Sequence, residues 1–598
     1  MLTKSNFAAI ALVMAIVFVL FQFTGVSSSA LGSGTTNPYA ESGNLSLDRD
    51  SARKGSFTRG EGKERILLIT GGDSEDGTVK CIREEASYLK RECLLSETIS
   101  GVREEAGEND VVVIASDALE WRTETLLLLE LTEQGIPVIF AKTPKPEELR
   151  ENALLRRYLG IASVEQDEYR LDGVRIFEGL LLGGEVLYDE LSMKLPYYRL
   201  DTGVKVYAVG MLENQEEEDI ANEELPSLIW RYSQGEGFVF VCNGPFLEDR
   251  TGIGFFTGLL CETGEASIYP VVNAQTVMLQ SFPYVGEENS EEMHRRYSQE
   301  ADQFFQEQLW PSVVSILRNN QDKVSCFMTP KLDYSADSQL DTGKLAFFME
   351  QVARENGEVG VSGSAHVSSG EKLPEDFELY QTALPDYIFT TFSSGGLEES
   401  AWRGELQPGG LLESVRTLVR PLEELEGGDL LSYYNQDVVQ MPILHAGDVH
   451  EQEDDLRLRS LESALALSSI NVDLKQIVYP EGDEDDWVNV GVDWARFSDT
   501  YWKPFRSFDS TLVSVAGERI RQFLALDYEI SWEGNQAVLE LSNLENEAWF
   551  LFRSPYRVLK SVKGGSFEPV EDGVYLIQAD SETVTLQFSG EVSPYYYD

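Results

Sequence analysis

The chain has 598 residues, room for roughly three or four domains at ~150 residues each. Its 42% apolar and 25% charged residues exclude a wholly disordered or collagen-like protein. With 48 Lys and Arg against 102 Asp and Glu, the formal net charge is −54. Such a chain repels phosphate backbones, which excludes nucleic acid as a partner and favours cationic or neutral ones, divalent cations included. The plainer consequence of the acidity is solubility.

Residues 7–26 read FAAIALVMAIVFVLFQFTGV, an apolar run long enough to cross a bilayer. Lys4 precedes it and the next basic residue is Arg49. That bias predicts a single-pass anchor (1–26) with the bulk of the chain outside the cell. A cleaved signal ending near Ser28-Ser29-Ala30 is the alternative, and it exports the chain equally. Residues 27–62, rich in Ser, Gly, Thr and Asn, read as a flexible stalk.

From residue 63 to 265 buried strand runs alternate with helical spacing. RILLIT (65–70), VVVIA (111–115), IPVIF (136–140) and GFVFV (237–241) are the strands, and 78–90 and 144–158 are helices. This predicts an α/β Rossmann-like, doubly wound domain. The first loop, Gly71-Gly72-Asp73-Ser74-Glu75-Asp76-Gly77, lacks dinucleotide spacing, and its acids would repel phosphate. Cys242 sits at a strand end, but no histidine precedes His294 to activate it. A packed thiol is the expectation. The five cysteines form no CxxC, and a Cys81–Cys93 pair is left open.

Residues 266–524 place strand candidates at 276–282, 323–328, 358–361, 387–391 and 440–444. Helices are expected between them, including 298–318, 342–355 and 453–469. The pattern predicts a β/α barrel, whose chemistry would lie at the C-terminal strand ends. Residues 525–598 show short alternating segments split by Gly-Asn and Gly-Gly turns, a small C-terminal β-sandwich. Trp532, Trp549 and Tyr556 there are candidates for stacking on sugar, or core residues. The acidic run 481–487 is a candidate cation contact without EF-hand spacing, or a solvated loop.

The segments TVMLQSFP, VSCFMTP, GEVGVSGSAH and PILHAGDVH, in this order, resemble the motif strands of NodB-type polysaccharide deacetylases. The whole layout resembles the anchored Pel-type exopolysaccharide deacetylases and a related uncharacterised family of Gram-positive bacteria. The resemblance implies a deacetylase-like barrel, an amino-sugar polysaccharide as ligand, exopolysaccharide synthesis or export proteins as partners, and a role in biofilm.

In that family one Asp and two His hold a divalent metal such as zinc, a second Asp is the base and a late His is the acid. Carried over residue by residue, the aspartates fall on Gln280 and Ser281, and the first metal histidine falls on Ser362. His366 matches the second metal histidine and His445 the late acid, with Asp448 and His450 close behind in sequence. The family's RxPYG loop has no counterpart near 392–396. The resemblance therefore implies a catalytically degenerate, polymer-binding or scaffolding protein. The alternative is an active metal-dependent deacetylase with an altered site built from His366, His445 and Asp448. Tyr284 and Trp402 are expected to stack on sugar.

Overall fold

The computed structural model describes residues 64–107, 109–212, 225–336, 340–425, 427–449, 451–554 and 556–589. The apolar run 7–26, the stretch 27–62, His450 and the tail Tyr595–Tyr597 lie outside them. Among the described residues, no helix is long and apolar enough to cross a membrane.

The structure is mixed α/β. The strand Arg65–Ile69 pairs in parallel with Cys93–Ser96 on one side and Asp110–Ile114 on the other. Val138–Phe140 and Gly237–Cys242 extend the parallel sheet. Each strand is an uninterrupted apolar run because both faces are covered. Ile66 and Leu68 share a core with the helices Gly77–Tyr88 and Gly252–Cys261, while Leu67 and Ile69 pack on the helix Trp121–Glu133.

The sheet continues past Gly237–Cys242 through antiparallel strands at Ser227–Gln234, Lys205–Met211, Gly173–Ile176 and Val186–Tyr188. The sequence pattern does not show this extension. The expected helix 144–158 is two short helices, Pro146–Glu151 and Ala153–Tyr158, broken at Asn152, whose side chain caps the second.

A second parallel sheet begins at Ala274–Gln280. It runs through Val324–Met328, Glu358–Ser362, Thr391–Ser393 and Thr417–Pro421 to Val439–Ile443. The chain then continues into His445–Ala446, which pairs with Leu467–Asp473, and that strand pairs back onto Ala274–Gln280. The sheet thus curls until one bent stretch, 439–446, touches both sides.

Two expectations are corrected here. The helix expected over 453–469 ends at Leu465; Ala466 takes φ 47 and Leu467–Asp473 is a strand. The strand expected at 387–391 begins only at Thr391, and Tyr387 instead hydrogen-bonds the backbone of Val359.

Two four-stranded antiparallel sheets end the chain and share one core through Phe550, Phe552 and Ile577 on one side and Ala537, Leu539 and Leu586 on the other. One strand of this pair comes from far upstream: Ser267–Val271 pairs with Ala548–Arg553. All five cysteines are free thiols, so no Cys81–Cys93 bridge forms. Burial pushes the Cys242 thiol up to about 12.

Candidate functional site

In a parallel sheet the loops leaving the C-terminal strand ends are the natural place for a site. In the curled sheet those ends carry Gln280, Ser362, Ser393 and Asp473, at the last positions of four strands. Gln280 Nε2 donates to Ser393 Oγ at 2.8 Å, and Ser362 lies opposite Ser393 in register. The Ser362 hydroxyl accepts the Ser364 N–H at 3.0 Å, and Ser281 Oγ donates to Asp473 Oδ1 at 2.8 Å. Gln280, Ser281 and Ser362 are all buried. The floor of the site is thus made mostly of neutral groups bonded to one another, although Gln280 Oε1 and Ser364 Oγ are left without a partner.

Beside this floor lies a buried ammonium group. Lys372, 1% exposed, donates to the Ser362 carbonyl at 2.8 Å and to Asp376 Oδ2 at 2.6 Å. Tyr334 donates to the other Asp376 oxygen at 2.6 Å, and the ammonium sits 4.9 Å from the centre of the Tyr334 ring. Burial raises the Asp376 carboxyl above its usual range against the pull of Lys372.

A divalent metal needs anionic or imidazole ligands. The amide and hydroxyls at 280, 281 and 362, with an ammonium bonded to residue 362, do not fit one. Among the described residues, no three His, Cys, Asp or Glu side chains gather into a group able to hold a metal.

His366 stands above this floor. Its backbone N–H donates to Leu332 O at 2.9 Å, and its exposed ring lies on Tyr479, with centroids 3.8 Å apart and planes 6° apart. Burial, with Glu288 and Asp333 nearby, pushes the half-buried Tyr479 hydroxyl up to about 12. Glu288 accepts the Leu332 N–H at 3.1 Å and a bond from the Tyr284 hydroxyl, which ties the rim loops together. An exposed two-ring stack beside two carboxylates can hold a sugar ring or an ammonium group.

The other expected residues are placed differently. His445 is buried in the helix layer. Its Nε2 lies 3.0 Å from Asp455 and its Nδ1 meets the Ala446 carbonyl, so both ring nitrogens face protein atoms. Tyr501 also donates to Asp455, and Phe497 packs on the imidazole. Asp448 accepts from Gln476, and burial raises its carboxyl.

Tyr284 and Trp402 are fully buried, which corrects their expected role as sugar platforms. Tyr284 packs on Phe305, while the Trp402 indole N–H donates to Leu397 O at 3.0 Å and its ring packs on Phe392. In the acidic run, Asp485 accepts the backbone N–H groups of Glu481 and Gly482, and Asp486 pairs with Arg296 at 2.5 Å. Those carboxylates are spent on the chain itself.

Sequence reasoning reaches His366 as a metal ligand, not as one ring of a stack, and does not reach Tyr479, Glu288, Asp333 or Lys372. Their only signal is position: each follows or flanks a strand of the curled sheet.

Residues 150–405, less than half of the chain, match a family described as "Uncharacterised protein conserved in bacteria (DUF2194)". No curated protein matches the chain. Among solved structures, a protein from Mycobacterium smegmatis described as a polysaccharide deacetylase is 13% identical, covering 41% of this chain and 91% of its own, with a TM-score of 0.25. A ThuA-like protein from Bacteroides uniformis is 12% identical, covering 34% of this chain and 91% of its own, with a TM-score of 0.25. A family 30 xylanase from Clostridium acetobutylicum is 11% identical, covering 54% and 97%, again with a TM-score of 0.25. Likenesses of this size decide no activity.

Proposed function

We propose that this chain is an exported, membrane-anchored protein that binds an amino-sugar polysaccharide during exopolysaccharide synthesis or export. It would use a deacetylase-like frame that no longer turns the polymer over. In this reading residues 63–265 and 525–598 flank a ligand-holding region, 266–524. The observation that carries it is the exposed His366–Tyr479 stack at the strand ends, beside Glu288 and Asp333. Aromatic faces take the C–H face of a pyranose ring, and carboxylates attract the ammonium of a deacetylated hexosamine. The net charge of −54 adds long-range attraction, screened within about 8 Å at physiological salt.

The test is titration of the protein with glucosamine oligomers and their N-acetylated counterparts, at low and high salt. The deacetylated oligomer is expected to bind more tightly, and added salt to weaken it. The protein loaded with zinc or cobalt is expected to release no acetate from the acetylated oligomer. Equal affinity for both oligomers would remove the charge argument. Acetate release that stops with a chelator and returns with metal would replace this reading with that of an active enzyme.

A further inference from the structure

A second cleft, with no lining residue from the curled sheet's strand ends, lies where the N-terminal sheet meets the C-terminal pair of sheets. Its volume is about 360 Å³, within the range of small-ligand sites. One wall is the turn Leu89-Lys90-Arg91 after the helix Gly77–Tyr88, and the other is the strand Asp527–Glu533. Tyr528 fixes the junction by donating to the Leu89 carbonyl at 3.2 Å. Lys90, with φ 57, turns its amine over the Phe523 ring and onto Leu524 O.

Four features of this cleft bear on what it could hold. The strand Asp527–Glu533 is the last strand of its sheet, so one row of its backbone groups has no partner strand, although the Tyr528 N–H in it donates to the Asp527 side chain at 2.8 Å. Because the cleft follows that edge, side chains from both faces of the strand border it. From one face comes Trp532, 43% exposed, with its indole stacked on Phe588. From the other come Glu529 and, on the neighbouring strand, Glu540. These two stand directly opposite each other in register, both exposed, with no cation on either among the described residues. Like charges facing across a strand pair destabilise a sheet. A cation between them removes that cost. Arg91 adds a buried Nη1 without a hydrogen-bond partner, while its Nη2 pairs with Glu64.

We infer that this cleft binds a short run of amino sugars, with one pyranose ring on Trp532 and the ammonium of a neighbouring unit between Glu529 and Glu540. Sugar hydroxyls would meet the free strand edge and Arg91. The choice of an amino sugar rests on the proposed function; the cleft itself does not, since it shares no residue with the His366–Tyr479 site.

Calorimetric titration of the full chain with a glucosamine tetramer tests it. Two binding events per chain are expected. Trp532→Ala, and separately the pair Glu529→Gln with Glu540→Gln, should each weaken one event at least tenfold and leave the other unchanged. The double glutamine variant should also unfold at no lower temperature than the wild type, since it removes a repulsion, which separates lost binding from lost folding. His366→Ala with Tyr479→Ala should remove only the other event. If the Trp532 and glutamate variants titrate as the wild type does, or if the acetylated tetramer occupies this cleft equally well, the inference is wrong. The reading of the His366 site then stands on its own variant. If only the His366 variant has no effect, that reading fails and this one remains. No tetramer binding at all overturns both, and leaves the free edge to an occupant of another class, such as an added peptide strand.

Discussion

The two parallel sheets of this chain finish their strand ends in opposite ways. In the N-terminal sheet the loops close on one another. A Cβ on Gly71 would meet the Ser116 hydroxyl at 2.3 Å, and Asp76 both caps the helix Gly77–Tyr88 through the Thr78 N–H and pairs with Lys142 at 2.5 Å. Polar groups there are spent on neighbouring loops. In the curled sheet Gln280 and Ser393 bond each other across the floor, Gln280 Oε1 stays without a partner, and the loops above leave His366 uncovered on Tyr479. A shared topology supplies a position for a site, and the side chains at the strand ends decide whether that position remains open.

Four changes would break or sharpen this contrast. The largest effect is expected from Lys372→Met, which leaves Asp376 buried without its cation. A loss of ~3–5 kcal/mol in denaturant unfolding is expected. A loss below about 1 kcal/mol would mean that the ammonium does not organise the floor. Next, His445→Ala removes the partner of a buried carboxylate and its packing on Phe497. It should cost ~2–3 kcal/mol while glucosamine-oligomer affinity stays unchanged. Weakened binding would return His445 to the site.

In the closed N-terminal ends, Asp76→Ala should cost ~1–2 kcal/mol through the lost cap. Burial works to raise Asp76, but the bonds from Lys142 and Thr78 outweigh it and hold the carboxyl below its usual value. The unfolded chain therefore binds the proton more readily than the folded one. The contribution of Asp76 is present above an ordinary aspartate's pKa, about 3.9, and is lost as pH falls through its lower folded value. Unfolding curves from pH 6 down to pH 3 should show wild type and Asp76→Ala converging. The smallest effect on stability, within about 0.5 kcal/mol, is expected from His366→Ala at the open rim. Oligomer affinity should fall about tenfold, or ~1.4 kcal/mol. A large drop in melting temperature would make the stack structural.

The strands readable in the sequence were those buried on both faces. RILLI, VVVI and VSCFM are near-continuous apolar runs, as strands covered on both faces are. The two-stranded ribbon beside the antiparallel extension is illegible for the converse reason: Ile161–Leu171 is mostly exposed and carries glutamates and glutamine, so no apolar period marks it. Leu467–Asp473 was merged with the preceding helix because Leu461, Leu465 and Ala466 continue helical spacing; the break is a backbone event, the left-handed turn at Ala466.

At the site, the motif order led to Gln280, Ser362 and His366, which the fold places on the same strand ends and their loops. Tyr479 could not be found that way, since its contact with His366 joins loops distant in sequence. Tyr284 and Trp402 failed because a sequence position near a loop does not say which way an aromatic ring turns.

The strand Ser267–Val271 ties early and late parts of the chain together. Ile268 faces the core of the C-terminal sheets, whereas Tyr269 and Val271 face the core of the N-terminal sheet, and the hydrogen-bonding partner is Ala548–Arg553. A ribosome releases this strand long before the segment that covers it. Until synthesis is almost complete, its apolar edge has no mate and stands open to other nascent chains. A premature stop codon between residues 272 and 548 would therefore leave an unfinished edge within the polypeptide, besides removing its end. Such fragments are expected to be recovered from cells as aggregates or protease products.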